Sequence, residues 1–311
     1  MSIPVVDFSA YSLSGTDVTD EQLQRLAAEL KRAFVEIGFV LLTNTGITQE
    51  EVDRFMDISL KFFLQPDELK KPFSRQTFPN NLNHGWVSLE TEKLNPNRPA
   101  DLKESFNTSS FHPDIAWPSS DGLQDFKEIH MSFFQRCKEL SLRVLRVMAV
   151  SLGLDPDVFL SAHLLIETDD NATTMRSLYY PPVKRVKENQ LRCGEHSDYG
   201  TITLVFQGTD GLEVCTRAGD YIPAAYIPGA VLINIADLMQ RWTADQFISV
   251  SHRVLMPPAG DPGTRQSVAF FLHPDDEVLI TCCDGSNKYP PIKAGDYVTQ
   301  KFNESYEKKK A

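Results

Sequence analysis

The sequence predicts a mixed α and β fold, an α-rich N-terminal region leading into an antiparallel β sandwich or barrel. Three observations predict it. Apolar residues recur at helical spacing behind two capping-box patterns in the first third. A long helical stretch spans about 123–152. After about residue 172, short apolar runs alternate with Gly, Pro and Asp, as strands of an antiparallel sandwich or barrel do.

In chain order, Thr19 with Gln22 opens the first helix, carried by Leu23, Leu26, Leu30, Phe34 and Ile37 and stopped at Gly38. Phe39-Val40-Leu41-Leu42 reads as a strand. Thr48 with Glu51 opens a second helix ending near Phe63, and Pro66 begins a short third. Residues 74–120, rich in Asn, Pro and Ser, read as one long irregular segment, the mark of a functional or mobile loop. The long helix closes at Gly153. Expected strands follow at Thr201–Phe206, Leu212–Cys215, Val231–Ile235, Ser267–Leu272 and Val278–Thr281. The composition shift near 165–172 divides the chain into an N-terminal region (1–120), a helical connection (121–170) and a β core (171–311), with no flexible linker or internal repeat.

With 311 residues, 41% of them hydrophobic, the chain is long enough to bury a sizeable core. Its formal charge of −11 argues against nucleic acid or an anionic membrane as a partner. No run of 18 apolar residues and no signal peptide is read. Five cysteines without a C-x-x-C pair suit a reducing compartment, so a cytoplasmic location is expected.

The chemistry lies in a His-x-Asp pair with a distant His. Two histidines and one carboxylate on one face can hold iron(II) and leave three positions open for a bidentate co-substrate and dioxygen. Residues i and i+2 of a strand point the same way, which suits His-x-Asp. The chain has three such pairs, at His112, His196 and His273. The pair at His273 has no later His. The pair at His112 lies in the irregular segment, and its downstream candidate His163 falls in an expected helix. Both pairs are read as structural or surface residues.

His196-Ser197-Asp198 instead leads into the strand from Thr201, with His252 following 54 residues after Asp198. Arg265-Gln266-Ser267 begins 13 residues later and opens another strand. An arginine fork with a hydroxyl on the same face would hold the remote carboxylate of a dicarboxylate co-substrate.

At this point the sequence resembles the 2-oxoglutarate/iron(II) oxygenase superfamily, in the branch with isopenicillin N synthase and the plant hormone and flavonoid oxygenases. Ile3-Pro4-Val5-Val6-Asp7-Phe8 and Glu36-Ile37-Gly38-Phe39 are similar to its N-terminal region. Met175-Arg176-Ser177-Leu178-Tyr179-Tyr180-Pro181-Pro182 is similar to its Arg-x-Asn-Tyr-Tyr-Pro-Pro segment, with Leu178 in place of Asn. Gly211-Leu212-Glu213-Val214, Pro228-Gly229-Ala230 and Asn234-Ile235-Ala236-Asp237 match further on.

The resemblance implies a double-stranded β-helix, or jelly roll, wrapped by helices. It implies iron(II) at His196, Asp198 and His252, and the far carboxylate of 2-oxoglutarate at Arg265, Ser267 and Tyr180. It implies an O2-consuming dioxygenase that oxidises an unactivated C–H bond of a small organic substrate and releases succinate and CO2. Hydroxylation, desaturation and ring closure all remain open. Phe271 matches a position facing substrate. His84, Trp86 and Phe106 match by region and are expected, with Phe111, to face the pocket from a lid; Met239-Gln240-Arg241-Trp242 is a candidate rim. Two rivals stand beside this reading. One is an iron oxidase of the isopenicillin N synthase type that needs no 2-oxoglutarate. The other is a non-catalytic ligand-binding protein on the same scaffold.

Overall fold

The computed structural model describes residues 2–15, 18–75, 83–109, 115–182, 185–258 and 263–307. His112, Phe111 and the C-terminal lysine run lie outside them. Strand β1 (Val5–Asp7) is followed by α1 (Asp20–Glu36), β2 (Phe39–Thr43), α2 (Gln49–Phe63) and α3 (Asp67–Lys70). Both expected capping boxes form: Gln22 N donates to Thr19 Oγ1, Glu51 N donates to Thr48 Oγ1, and each N3 side chain accepts from the cap N–H. Strands β3 (Gly85–Val87) and β4 (Glu104–Thr108) come next, then α4 (Phe126–Ser151), β5 (Thr174–Tyr180), β6 (Cys193–His196) and β7 (Ile202–Gln207). The chain continues through β8 (Leu212–Cys215), β9 (Tyr221–Pro223), β10 (Val231–Ile235), α5 (Asp237–Trp242), β11 (His252–Val254), β12 (Arg265–Leu272), β13 (Leu279–Ile280), β14 (Ile292–Lys293) and α6 (Ala294–Glu307).

The fold is a jelly roll of two facing sheets. The major sheet has the order β1-β2-β10-β7-β12-β5-β4-β3, and the minor sheet the order β6-β11-β8-β9. Strand alternation sorts the major sheet's side chains into two layers. Val40, Leu42, Leu204, Phe206, Ile233, Val268 and Phe270 pack outward with α1 and α4. Phe39, Leu41, Leu178, Tyr180, Leu232 and Ala269 point inward and meet Cys193, Leu212, Val214 and Val254 of the minor sheet. The helices cover one face of the major sheet, and the interior between the two sheets is left for the site.

Three expectations are corrected. The segment 74–120 is not one irregular loop, because β3 and β4 extend the major sheet beside β5. Four of that sheet's eight strands therefore come from the first 108 residues, and the N-terminal region is not a lobe apart. The run Val278–Thr281 forms only the short β13, paired with β14 outside the jelly roll. Met239 and Trp242 are core residues, with Trp242 packed edge-on against Phe159, and make no rim.

Of the residues expected in a lid, His84, Trp86 and Phe106 belong instead to a second core. Trp86 and Phe106 face each other across β3 and β4, on the side of those strands that turns toward the helices. Phe106 packs against Phe62 and Phe126 at 5.2 and 5.1 Å, and His84 packs against Trp117 at 4.9 Å. Trp86 Nε1 donates to Glu104, whose carboxylate also pairs with the buried Lys70 at 2.7 Å. Phe106→Ala is expected to cost about 3–5 kcal/mol of stability, as large-to-small core changes do. Denaturant unfolding of the full chain measures it, and unchanged stability would return Phe106 to the pocket.

Candidate metal and co-substrate site

Two paired strands of the minor sheet, β6 and β11, bring the histidines together. His196 ends β6 and lies directly opposite His252 on β11, with ring centroids 4.3 Å apart. Alternation turns their neighbours outward, where Glu195 pairs with Arg98 at 2.6 Å and Arg253 at 3.2 Å, clamping the two strands. Asp198 follows His196 by two residues, and its Oδ1 lies 3.8 Å from His196 Nε2 and 3.7 Å from His252 Nε2. One ligand atom from each of the three falls within 4.8 Å of the others, the only such group among the described residues. The other candidates that are described are tied down elsewhere: His163 bonds Phe159 O and Thr201 Oγ1, and Asp275 of the His273 pair accepts from Asn171.

The donor chemistry fits a divalent metal. Each imidazole uses Nδ1 on a backbone carbonyl, Gly194 O at 2.8 Å and Val250 O at 3.4 Å, which leaves the Nε2 lone pair for a metal. Burial, reinforced by neighbouring His196, lowers the His252 pKa to about 4, so that ring is neutral near pH 7. Burial works against the Asp198 charge, but His252, His196 and hydrogen bonds from Thr203 and Asn234 outweigh it and hold the carboxyl below its usual value. Thr203 Oγ1 and Asn234 Nδ2 both donate to Asp198 Oδ2, at 2.6 and 2.8 Å. One carboxylate oxygen is thus occupied and the other is free.

Arg265, Ser267 and Tyr180 also face the interior. Arg265 stands opposite Tyr180 in the β12–β5 register, its guanidinium carbon 5.1 Å from the Tyr180 ring centre. It donates to Ser267 Oγ, Gln207 Oε1 and the Asp210 carbonyl, each at 3.1 Å. It is 3% exposed, and no acidic side chain pairs with it among the described residues. Burial lowers its pKa, because the guanidinium charge is taken out of water.

A cavity opens beside the triad, reached by His196, Asp198, Arg176, Glu92, Phe271 and His273 among others. Of the four residues expected to line a substrate pocket, Phe271 reaches this cavity; His84, Trp86 and Phe106 do not, because they lie on the side of the chain that turns toward the helices. Arg176 of β5 and Glu92 line it instead, and Asn107 of β4 supports Arg176 from the inward side. Asn107, opposite Arg176 on β5, accepts from Arg176 Nε at 2.9 Å, and Glu92 accepts from Arg176 Nη1 at 3.0 Å. Burial would raise the Glu92 pKa, but Arg176, Lys103 and Arg75 outweigh it and bring it to about 2, so an ionised Glu92 holds Arg176 in place. Arg176 lies 5.8 Å over the Phe271 ring. Sequence reading passed over Glu92, Asn107 and the pocket role of Arg176; the only signal for them was the Arg-x-x-Tyr-Tyr-Pro segment. His273, read as structural or surface, lines the cavity.

Comparison with known proteins agrees with this arrangement. A family model for the N-terminal region of the non-haem dioxygenase in morphine synthesis matches residues 3–128, and the model of the 2OG-Fe(II) oxygenase superfamily matches residues 171–274. A UPF0676 protein of Schizosaccharomyces pombe is 32% identical over 93% of this chain and 91% of its own length. A proline hydroxylase of Petromyces alliaceus is 31% identical over 90% of each. A full-length Neurospora crassa protein solved with alpha-KG and thymine is 31% identical and superposes with a TM-score of 0.84, over 98% of this chain and 97% of its own.

Proposed function

Because this chain belongs to the 2OG-Fe(II) oxygenase superfamily, we propose that His196, Asp198 and His252 hold its iron(II) and that Arg265, Ser267 and Tyr180 hold the far carboxylate of 2-oxoglutarate. The enzyme is a dioxygenase of small molecules that uses iron(II), 2-oxoglutarate and O2. Bound iron, with its co-substrates, supplies the oxidising power to break an unactivated C–H bond, yielding succinate and CO2. Residues 171–311 form the catalytic core in this reading.

The observation that carries the co-substrate assignment is the buried Arg265 without a carboxylate of its own. A dicarboxylate supplies the missing partner, the planar fork and the Ser267 hydroxyl fix its direction, and Tyr180 closes one side. The same observation bears on the oxidase alternative, which succinate release decides: turnover that persists without 2-oxoglutarate would overturn the reading. In the adjoining cavity, Arg176 and the Phe271 ring orient a small polar substrate. The first compounds to try in a succinate-release screen are thymine and proline, after the ligand and the name of two relatives.

The carboxylate geometry makes a separate prediction. Thr203 and Asn234 hold Asp198 Oδ2 so that Oδ1 alone is presented to the metal. Thr203→Val removes one donor at nearly constant volume. Metal affinity is expected to fall roughly ten- to a hundredfold, the usual effect of losing an outer-shell partner. Thr203→Ser should restore most of it. Manganese(II) titration followed by electron paramagnetic resonance measures both, and equal affinities in wild type and Thr203→Val would remove Thr203 from this role.

A further inference from the structure

His273 has no part in holding the metal or the co-substrate, yet it lines the cavity. Its backbone is tied down on both sides. Its N–H donates to Thr173 Oγ1 at 3.0 Å, and its carbonyl accepts from Asn171 Nδ2 at 3.0 Å. The ring is used differently. The residue is 8% exposed, and Nδ1 is shut away from solvent with no hydrogen-bond partner. That edge of the imidazole lies against Gly200, where even a Cβ would come within 3.0 Å of Cε1 and Nδ1. Among the described residues Nε2 has no hydrogen-bond partner either, and the Nε2–Cδ2 edge is the one left to meet the cavity.

A neutral imidazole carries one N–H and one lone pair. Burial lowers the His273 pKa to about 4, so the ring is neutral near pH 7. An N–H sealed against Gly200 would be an orphaned buried donor, which folded proteins avoid more strictly than a bare acceptor. The proton therefore belongs on Nε2, and the lone pair on the sealed side. We propose that His273 presents an Nε2–H donor to the cavity and selects substrates that carry a carbonyl or carboxylate oxygen.

This proposal rests on the reading of the cavity as the substrate site. If His273 only filled space, its ring would need no fixed tautomer and an apolar residue would replace it. Two measurements on the full chain decide. In the first, histidine-labelled protein loaded with zinc(II) and 2-oxoglutarate is studied by nitrogen-15 magnetic resonance, with His273→Gln identifying the signals. The Nε2–H tautomer is expected near neutral pH; an Nδ1–H or doubly protonated ring would overturn the proposal whatever the substrate proves to be.

The second compares wild type, His273→Leu and His273→Gln on each compound that the wild type turns over in a screen including thymine and proline. His273→Leu should raise KM about tenfold or more, the effect of a lost hydrogen bond to a buried acceptor, with a smaller change in kcat. His273→Gln, which can place an N–H near Nε2, should recover most of that loss. Both variants should bind 2-oxoglutarate as wild type does, which checks their fold. An effect on thymine supports a neutral carbonyl, and one on proline a carboxylate. Substrates without such an oxygen, or an unchanged KM in His273→Leu, would overturn the proposal. If wild type turns over nothing, the proposed function fails while the tautomer still decides the role of His273.

Discussion

Asp198→Ala is expected to abolish turnover and to weaken metal binding by more than the roughly ten- to hundredfold typical of an outer-shell loss. The reason is local. Asp198 supplies the single negative ligand, and its Oδ1 lies between the two Nε2 atoms at 3.7 and 3.8 Å. Alanine leaves two imidazoles whose rings are already fixed by their Nδ1 bonds to backbone and which carry no negative ligand between them. The same change strands the donors of Thr203 and Asn234, at about 1–3 kcal/mol for a buried group left unpaired. The protein should remain folded by circular dichroism, because the substitution empties no part of the hydrophobic layers. Manganese(II) titration and succinate release measure the two effects. Turnover near the wild-type rate in Asp198→Ala would sink the metal assignment.

Arg265→Ala should weaken 2-oxoglutarate binding by roughly thirty- to several-thousand-fold, corresponding to about 2–5 kcal/mol for a charged partner lost from a buried pair. Metal affinity without the co-substrate should change far less, since Arg265 contributes no ligand atom. Arg265→Lys should recover only part of the loss. A lysine restores the charge but cannot serve Ser267, Gln207 and the Asp210 carbonyl while also gripping a carboxylate, as the guanidinium fork can. Calorimetric titration of 2-oxoglutarate into manganese-loaded protein separates the two affinities. Equal 2-oxoglutarate binding by wild type and Arg265→Ala would show that the buried cation serves another anion.

Much of this site was legible before any fold was known, and for a stateable reason. His196 and Asp198 sit two apart beside a strand, and Arg265 and Ser267 two apart on another, so local alternation already placed each pair on one face. The two early helices were equally plain, because Thr19 with Gln22 and Thr48 with Glu51 are contacts within one turn. Among the strands that were missed is β5, which lines the cavity. Thr174 and Arg176 interrupt the apolar pattern of β5 because they line the cavity, and Asn107 interrupts that of β4 because it accepts from Arg176. Where a strand lines a site, the hydrophobic signal that announces strands is weakened by the site itself.

The sequence alone thus determined the helix starts and picked out the His-Asp-His set proposed for the metal and the arginine proposed for a carboxylate, since each follows from residues close in the chain or from their order. Only the tertiary structure decided which side of β3 and β4 turns inward, sending Trp86 and Phe106 into the helical core and Asn107 toward Arg176. It alone decided that Thr203 and Asn234 leave Asp198 one free oxygen, and that His273 lines the cavity with its Nδ1 turned against Gly200. These are contacts between strands that are neighbours in the sheets but far apart in sequence. Their outcome depends on register, where a slip of one residue would reverse every face.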